Sequence, residues 1–141
     1  MNATQIQLVQ TSFNQVRPIA ATAAGLFYNR LFTLDPSLRP MFKGDLAHQG
    51  SMLMSMLGTT VNGLTNLAAL VPVVRQLGTR HANYGVRDEH YATVGSALLW
   101  TLEQGLGDAF TLEVRKAWAA AYGVLASTMQ AGATESQAVV N

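Results

Sequence analysis

Apolar residues recur at intervals of three and four from one end of this chain to the other. Ile6, Val9, Phe13 and Val16 do so, as do Val114, Ala117, Trp118, Ala121, Leu125 and Met129. That spacing gathers side chains on one face of an α-helix. No segment sustains the alternate spacing of a strand between hairpin turns. The chain is therefore expected to be all-α.

Prolines, glycines and capping residues divide the pattern into helices. Pro18 interrupts the first, and Ala24, Phe27 or Tyr28, and Leu31 resume it. In "LDPSLRPMF" Asp35 can cap and Pro36 can open a new helix. That helix is short, because Pro40 and then Lys43-Gly44-Asp45 end it. A long amphipathic helix follows on Leu46, Gln49 or Gly50, Leu53, Leu57, Val61 and Leu64. "TNLAALVP" reads as a connection, with Pro72 opening the next helix and Gly85 closing it. Asp88 reads as the cap of a helix burying Tyr91, Val94, Leu98 and Leu102, and Thr111 as the cap of the last one. Residues 132–141 have no strong pattern and are expected to fray beyond a domain of residues 1–131. Six long helices and one or two short ones of unequal length suit a globin-like packing at steep crossing angles better than a four-helix bundle.

Composition narrows what such a helical domain can do. Hydrophobic residues are 49% of the 141 and charged residues 12%, with a net charge of +1. The basic residues are scattered, which gives no footprint for nucleic acid or anionic lipid. Cysteine is absent, so disulfides, thiolate metal sites and haem attachment through C-x-x-C-H are excluded. "MNATQIQLVQ" lacks the basic and apolar regions of a signal peptide. No apolar run approaches the ~20 residues of a spanning helix. The expected setting is the cytoplasm, as a monomer or a homodimer.

Three polar residues interrupt stripes that should be buried. His81 lies on the stripe of Leu70, Val73, Val74 and Leu77; Gln49 on that of Leu46, Leu53 and Leu57; Tyr28 on that of Ala24 and Leu31. Each has an ordinary explanation: a hydrogen-bonded core histidine, a glutamine satisfied by backbone, a tyrosine with its hydroxyl at the surface. Taken together, on three helices of one domain, they can meet in a pocket. Haem chemistry gives all three a purpose. The iron takes an imidazole on one side. On the other, a hydroxyl or amide donor favours oxygen, which becomes polar on binding, and Tyr28 and Gln49 carry such donors. Phe42, at the end of the short helix, is placed to press a ring against the porphyrin.

The segments "FYNRLFTLDPSLRPMF", "HQGSML", "LGTRHANYGVRDEHYATVG" and "AWAAAYGVLA" together resemble bacterial single-domain globins, closest to the haem domain of flavohaemoglobins and their stand-alone relatives. The likeness runs in order from about Gln5 to Met129. It implies a haem b globin with six to eight helices around the haem. It makes His81 the proximal iron ligand, Tyr28 and Gln49 the distal pair, and Leu53 the apolar residue over the iron. Phe42 becomes the ring packed on haem, and Pro36 the proline that opens the short helix. Tyr91 corresponds to a tyrosine that hydrogen-bonds on the proximal side. The 32 residues from Gln49 to His81 agree with the family's spacing. O2, NO and CO are the implied ligands. The implied activity is reversible oxygen binding, or nitric oxide dioxygenation with an external reductase. A haem-based gas sensor acting through a partner is the alternative.

Two features depart from that family. The glutamate that flavohaemoglobins carry in the last helix aligns with Ala133, and Glu135 lies two residues on, on a different face. The flavin and nicotinamide domain is not in the sequence. Three further features have ordinary readings, and a fourth points back to the haem. His48, beside Gln49, turns about 100° away on the helix and reads as solvent-facing. His90 reads as exposed or packed at a helix start. Met52, Met54 and Met56 read as packing rather than axial ligands. Arg80 neighbours His81 and can pair with a haem propionate.

Overall fold

The computed structural model describes the backbone of residues 1–42 and 44–140, and the side chains of these through Thr134. Among the described residues six α-helices follow one another: α1 (Ala3–Val16), α2 (Ala20–Leu34), α3 (Leu46–Gly63), α4 (Leu67–Asn83), α5 (Asp88–Leu106) and α6 (Leu112–Val140). Short 3-10 turns at Arg17–Ile19, Pro36–Met41 and Gly107–Ala109 join them. Among the described residues there is no strand, as the spacing predicts. None of these helices is long and apolar enough to cross a membrane.

The helices start where side chains can satisfy their free N–H groups. The Asn2 side chain accepts from the Gln5 N–H at 2.8 Å, and the Gln5 side chain accepts from the Asn2 N–H at 3.1 Å, a capping box. Asp35 and Asp45 accept from the N–H groups of Ser37 and Ala47. Thr111 caps α6 through the Val114 N–H at 3.2 Å. Of the segment expected to end the short helix, Gly44 and Asp45 follow it as anticipated, and Lys43 lies outside the described residues.

Two starts differ from the sequence reading. α4 begins at Leu67, one turn before Pro72, and the Asn66 carbonyl accepts from the N–H groups of Ala69 and Leu70. Pro72 sits inside the helix because Pro72 and Ala68 are both exposed. The carbonyl its missing N–H leaves unpaired is thus open to water. α5 is capped at Arg87, not Asp88. The His90 Nδ1 accepts from the Arg87 N–H at 2.9 Å, which ties the first turn back to its cap residue. Asp88 and Glu89 occupy the first turn, where the helix dipole favours negative charge. At the other end of the chain, α6 runs on through Val140, past the point where the apolar pattern fades.

The core is divided. The larger cluster joins α1, α2, α3, α5 and the first half of α6 around Phe13, Phe27, Leu31, Leu57 and Trp118. The smaller one holds Leu70, Val74, Tyr91, Leu125 and Met129, between α4, α5 and the second half of α6. Tyr122 packs against both. Across the larger cluster the Trp118 Nε1–H donates to Ser12 Oγ at 2.8 Å, and that hydroxyl donates to the Leu8 carbonyl at 2.7 Å. A buried indole N–H left unpaired would be costly, so this link fastens α6 to α1.

Candidate functional site

His81 lies in the last turn of α4 and is half-buried. Its Nδ1 stands 2.8 Å from the Leu77 carbonyl oxygen. A carbonyl can only accept, so Nδ1 carries a proton, and in the neutral ring Nε2 then holds the lone pair. The backbone thereby fixes both tautomer and ring orientation, as it does for histidines that bind metal. Among the described residues no three His, Cys, Asp or Glu side chains gather to hold a bare ion.

The surface of α4 around His81 is apolar and partly uncovered. Steps of about 100° per residue place Val73, Leu77, His81 and Tyr84 along one side. Val73 is 52% exposed and Tyr84 71%. The Tyr84 ring stands edge-on to the imidazole, 6.3 Å between centroids. Arg80 is exposed on the same side. The neighbouring face of α4 is tightly held against α6. An uncovered apolar strip ending in an imidazole with a free lone pair suits the edge and centre of a flat, apolar, metal-bearing macrocycle.

The distal candidates gather on other elements. Tyr28 is buried on α2 and packs edge-on against Phe42, 5.3 Å between centroids, and against Phe27 at 5.2 Å. Phe32 stacks on the Tyr28 ring at 6.0 Å and completes an aromatic box that the sequence reading left without it. Burial pushes the Tyr28 hydroxyl up to about 12, so it remains a donor at neutral pH. α3 meets α2 beside this ring. A Cβ placed on Gly50 would stand 2.8 Å from Ala24 Cβ and 3.8 Å from a Tyr28 ring carbon. Gln49 precedes that close approach and is half-buried. Leu53, one turn on, packs on the larger cluster and borders an apolar cavity of about 20 Å3 reaching Phe27, Leu57 and Trp118.

The structure thus brings Tyr28, Phe42, Gln49 and Leu53 to one region, while His81, Arg80 and Tyr91 lie in or beside the smaller cluster. Tyr91 is buried there, and its carbonyl accepts from the Tyr122 hydroxyl at 2.6 Å. Tyr122 was not anticipated, although its position follows the α6 spacing. Burial raises both hydroxyls' pKa values. His48 is exposed, and so is Met52, while Met54 and Met56 are half-buried. His90 is buried at its helix start. Ala133 is half-buried on α6; the side chain of Glu135 lies outside those described.

Comparison with known proteins places this arrangement. The family described as Globin matches residues 25–129. The chain belongs to the globin family. This globin is 31% identical over 124 residues to the flavohemoprotein of Bacillus subtilis, covering 86% of the chain and 31% of that protein. It is 37% identical over 106 residues to the flavohemoprotein of Bordetella parapertussis, covering 73% of the chain and 26% of that protein. The globin thus spans less than a third of the length of these relatives. In structure it is similar to an engineered carbene transferase made from a candidate nitric oxide dioxygenase of Rhodothermus marinus. The TM-score is 0.87 at 27% identity, covering 99% of this chain and 98% of that one.

Proposed function

We propose that this globin binds haem b through His81 and holds diatomic gases over it. The observation that carries the reading is the imidazole whose Nδ1 proton is committed to Leu77, leaving Nε2 for a metal. The flavohemoprotein relatives support the cofactor. When bound, haem supplies a ferrous centre that takes O2, NO or CO.

The other side chains then have distinct tasks. Tyr28 offers a hydroxyl that stays protonated and so can donate to a polar diatomic ligand. Gln49 adds an amide donor from α3. Leu53 keeps water from the ligand side, and Phe42 supplies a flat ring. Arg80, at the exposed edge, pairs with a propionate, and Tyr91 supports the proximal side. We assign the globin reversible oxygen binding and the dioxygenation of nitric oxide to nitrate, with an external reductase returning the iron to the ferrous state. The structural neighbour's name supports the second activity.

Substituting His81→Ala tests the assignment. The variant should lose most of its haem on purification, and imidazole in the buffer should partly restore it, because the small base fills the space left. Full haem retention with an unchanged ferrous spectrum sinks the reading.

A further inference from the structure

Helices α4 and α6 approach until their backbones touch, at two reciprocal points. A Cβ on Gly78 would run into the Met129 carbonyl and stand 2.6 Å from the Met129 Cα. A Cβ on Gly132 would run into the Arg75 carbonyl and stand 3.0 Å from the Arg75 Cα. No side chain has room at either place. Between them the Thr79 hydroxyl lies 3.0 Å from the Gly132 carbonyl and 3.3 Å from that of Arg75. The hydrogen bond to Gly132 crosses from one helix to the other.

This crossing lies two and three residues before His81 on the same helix. The His81 ring is fixed to α4 by the Leu77 carbonyl, and α4 is fixed to α6 by the crossing. The two constraints act in series. The first sets the ring's rotation on its helix, and the second sets where that helix stands. We propose that Gly78, Thr79 and Gly132 form a clasp that positions the axial imidazole and so sets its strain and its hold on the cofactor. The inference rests on His81 being the axial ligand. None of the three touches the cofactor in this account. They act through the helix that carries the imidazole, as positioning residues.

Thr79→Val tests this, because it keeps the shape of the side chain and removes only the hydroxyl. Thr79→Ser restores the hydroxyl, and Gly132→Ala forces the helices apart. In the haem-free protein, Thr79→Val should speed amide hydrogen exchange across the last turn of α4 by roughly fivefold, as the loss of one ordinary hydrogen bond implies. In the haem-loaded ferrous protein, the iron–histidine stretching band should shift or broaden. Haem should pass to an acceptor apoglobin several times faster. Thr79→Ser should return all three readouts to wild type, and Gly132→Ala should exceed Thr79→Val in all three. Faster exchange with an unchanged band and unchanged haem release means that the clasp only holds the fold together, and the positioning role is overturned. His81→Ala separates the two claims. If it loses haem while Thr79→Val leaves band and release untouched, the clasp fails alone. If it keeps haem with an unchanged ferrous spectrum, the axial assignment fails and the positioning role with it.

Discussion

Tyr28 shows how a single residue can be read from sequence in kind but not in degree. Its place on the stripe of Ala24 and Leu31 marked it as an inward polar group. The aromatic box of Phe27, Phe32 and Phe42 that desolvates it comes from the fold. A hydrogen bond from this hydroxyl to a polar, charge-bearing ligand contributes roughly 1.5–3 kcal/mol. At about 1.4 kcal/mol per factor of ten, Tyr28→Phe should release O2 roughly ten- to a hundredfold faster. CO, which is much less polar when bound, should change little. Stopped-flow dissociation of the two gases checks this, and equal O2 rates in both proteins would remove Tyr28 from the ligand's surroundings. The same hydroxyl has a consequence for pH. Its pKa is raised from 10.0 to about 12 by burial, so folding favours the protonated form. The stability tied to that form is complete below pH 10 and is lost as pH rises through about 12. Tyr28→Phe has nothing to ionise there and should unfold at a higher alkaline midpoint than wild type, followed by circular dichroism.

Elements were legible wherever a stripe and a cap agreed. Thr111 before the α6 stripe and Asp35 before Pro36 both mark starts that the structure shares. The starts of α4 and α5 were misplaced for a common reason: a local signal was outweighed by surroundings the sequence does not display. Pro72 is tolerated within α4 because its face meets water. Asp88 yields the cap to Arg87 because His90 bonds back to the Arg87 N–H. Close approaches between helices are similarly invisible in sequence, where a glycine in a helix looks like a weak point. At Gly50 the reason is contact with Ala24, whose Cβ would lie 2.8 Å from any Cβ added there. Gly50→Ala should cost about 1–3 kcal/mol, in the range of an overpacked core. It should also disturb Gln49 next to it. Denaturant unfolding of the variant measures the first effect, and an unchanged midpoint would mean that α2 and α3 part without strain.

Over the whole molecule, the class of fold, the order of the helices and the residue types a site would need were legible in the spacing of the residues. That spacing did not divide the core, because a stripe names the inner side of a helix without naming its partner. Nor did it show which groups hold distant parts together. Ser12 and Trp118 are 106 residues apart and share one buried hydrogen bond. Ser12→Ala leaves the indole N–H without a partner and should destabilise the protein by about 1–3 kcal/mol, read from its denaturant midpoint. A Ser12→Ala protein as stable as wild type would mean that water replaces the serine. The divided core also has a bearing on how the site is held. The bridge from Thr79 to Gly132 spans 53 residues, and closing so large a loop is entropically unfavourable until both ends have something to meet. The larger cluster holds α1 and the first half of α6 together, and the second half of α6 carries on from it as the surface that α4 meets. The helix that carries His81 is therefore held by one long docking face on α6, and the place of the imidazole depends on that single seam.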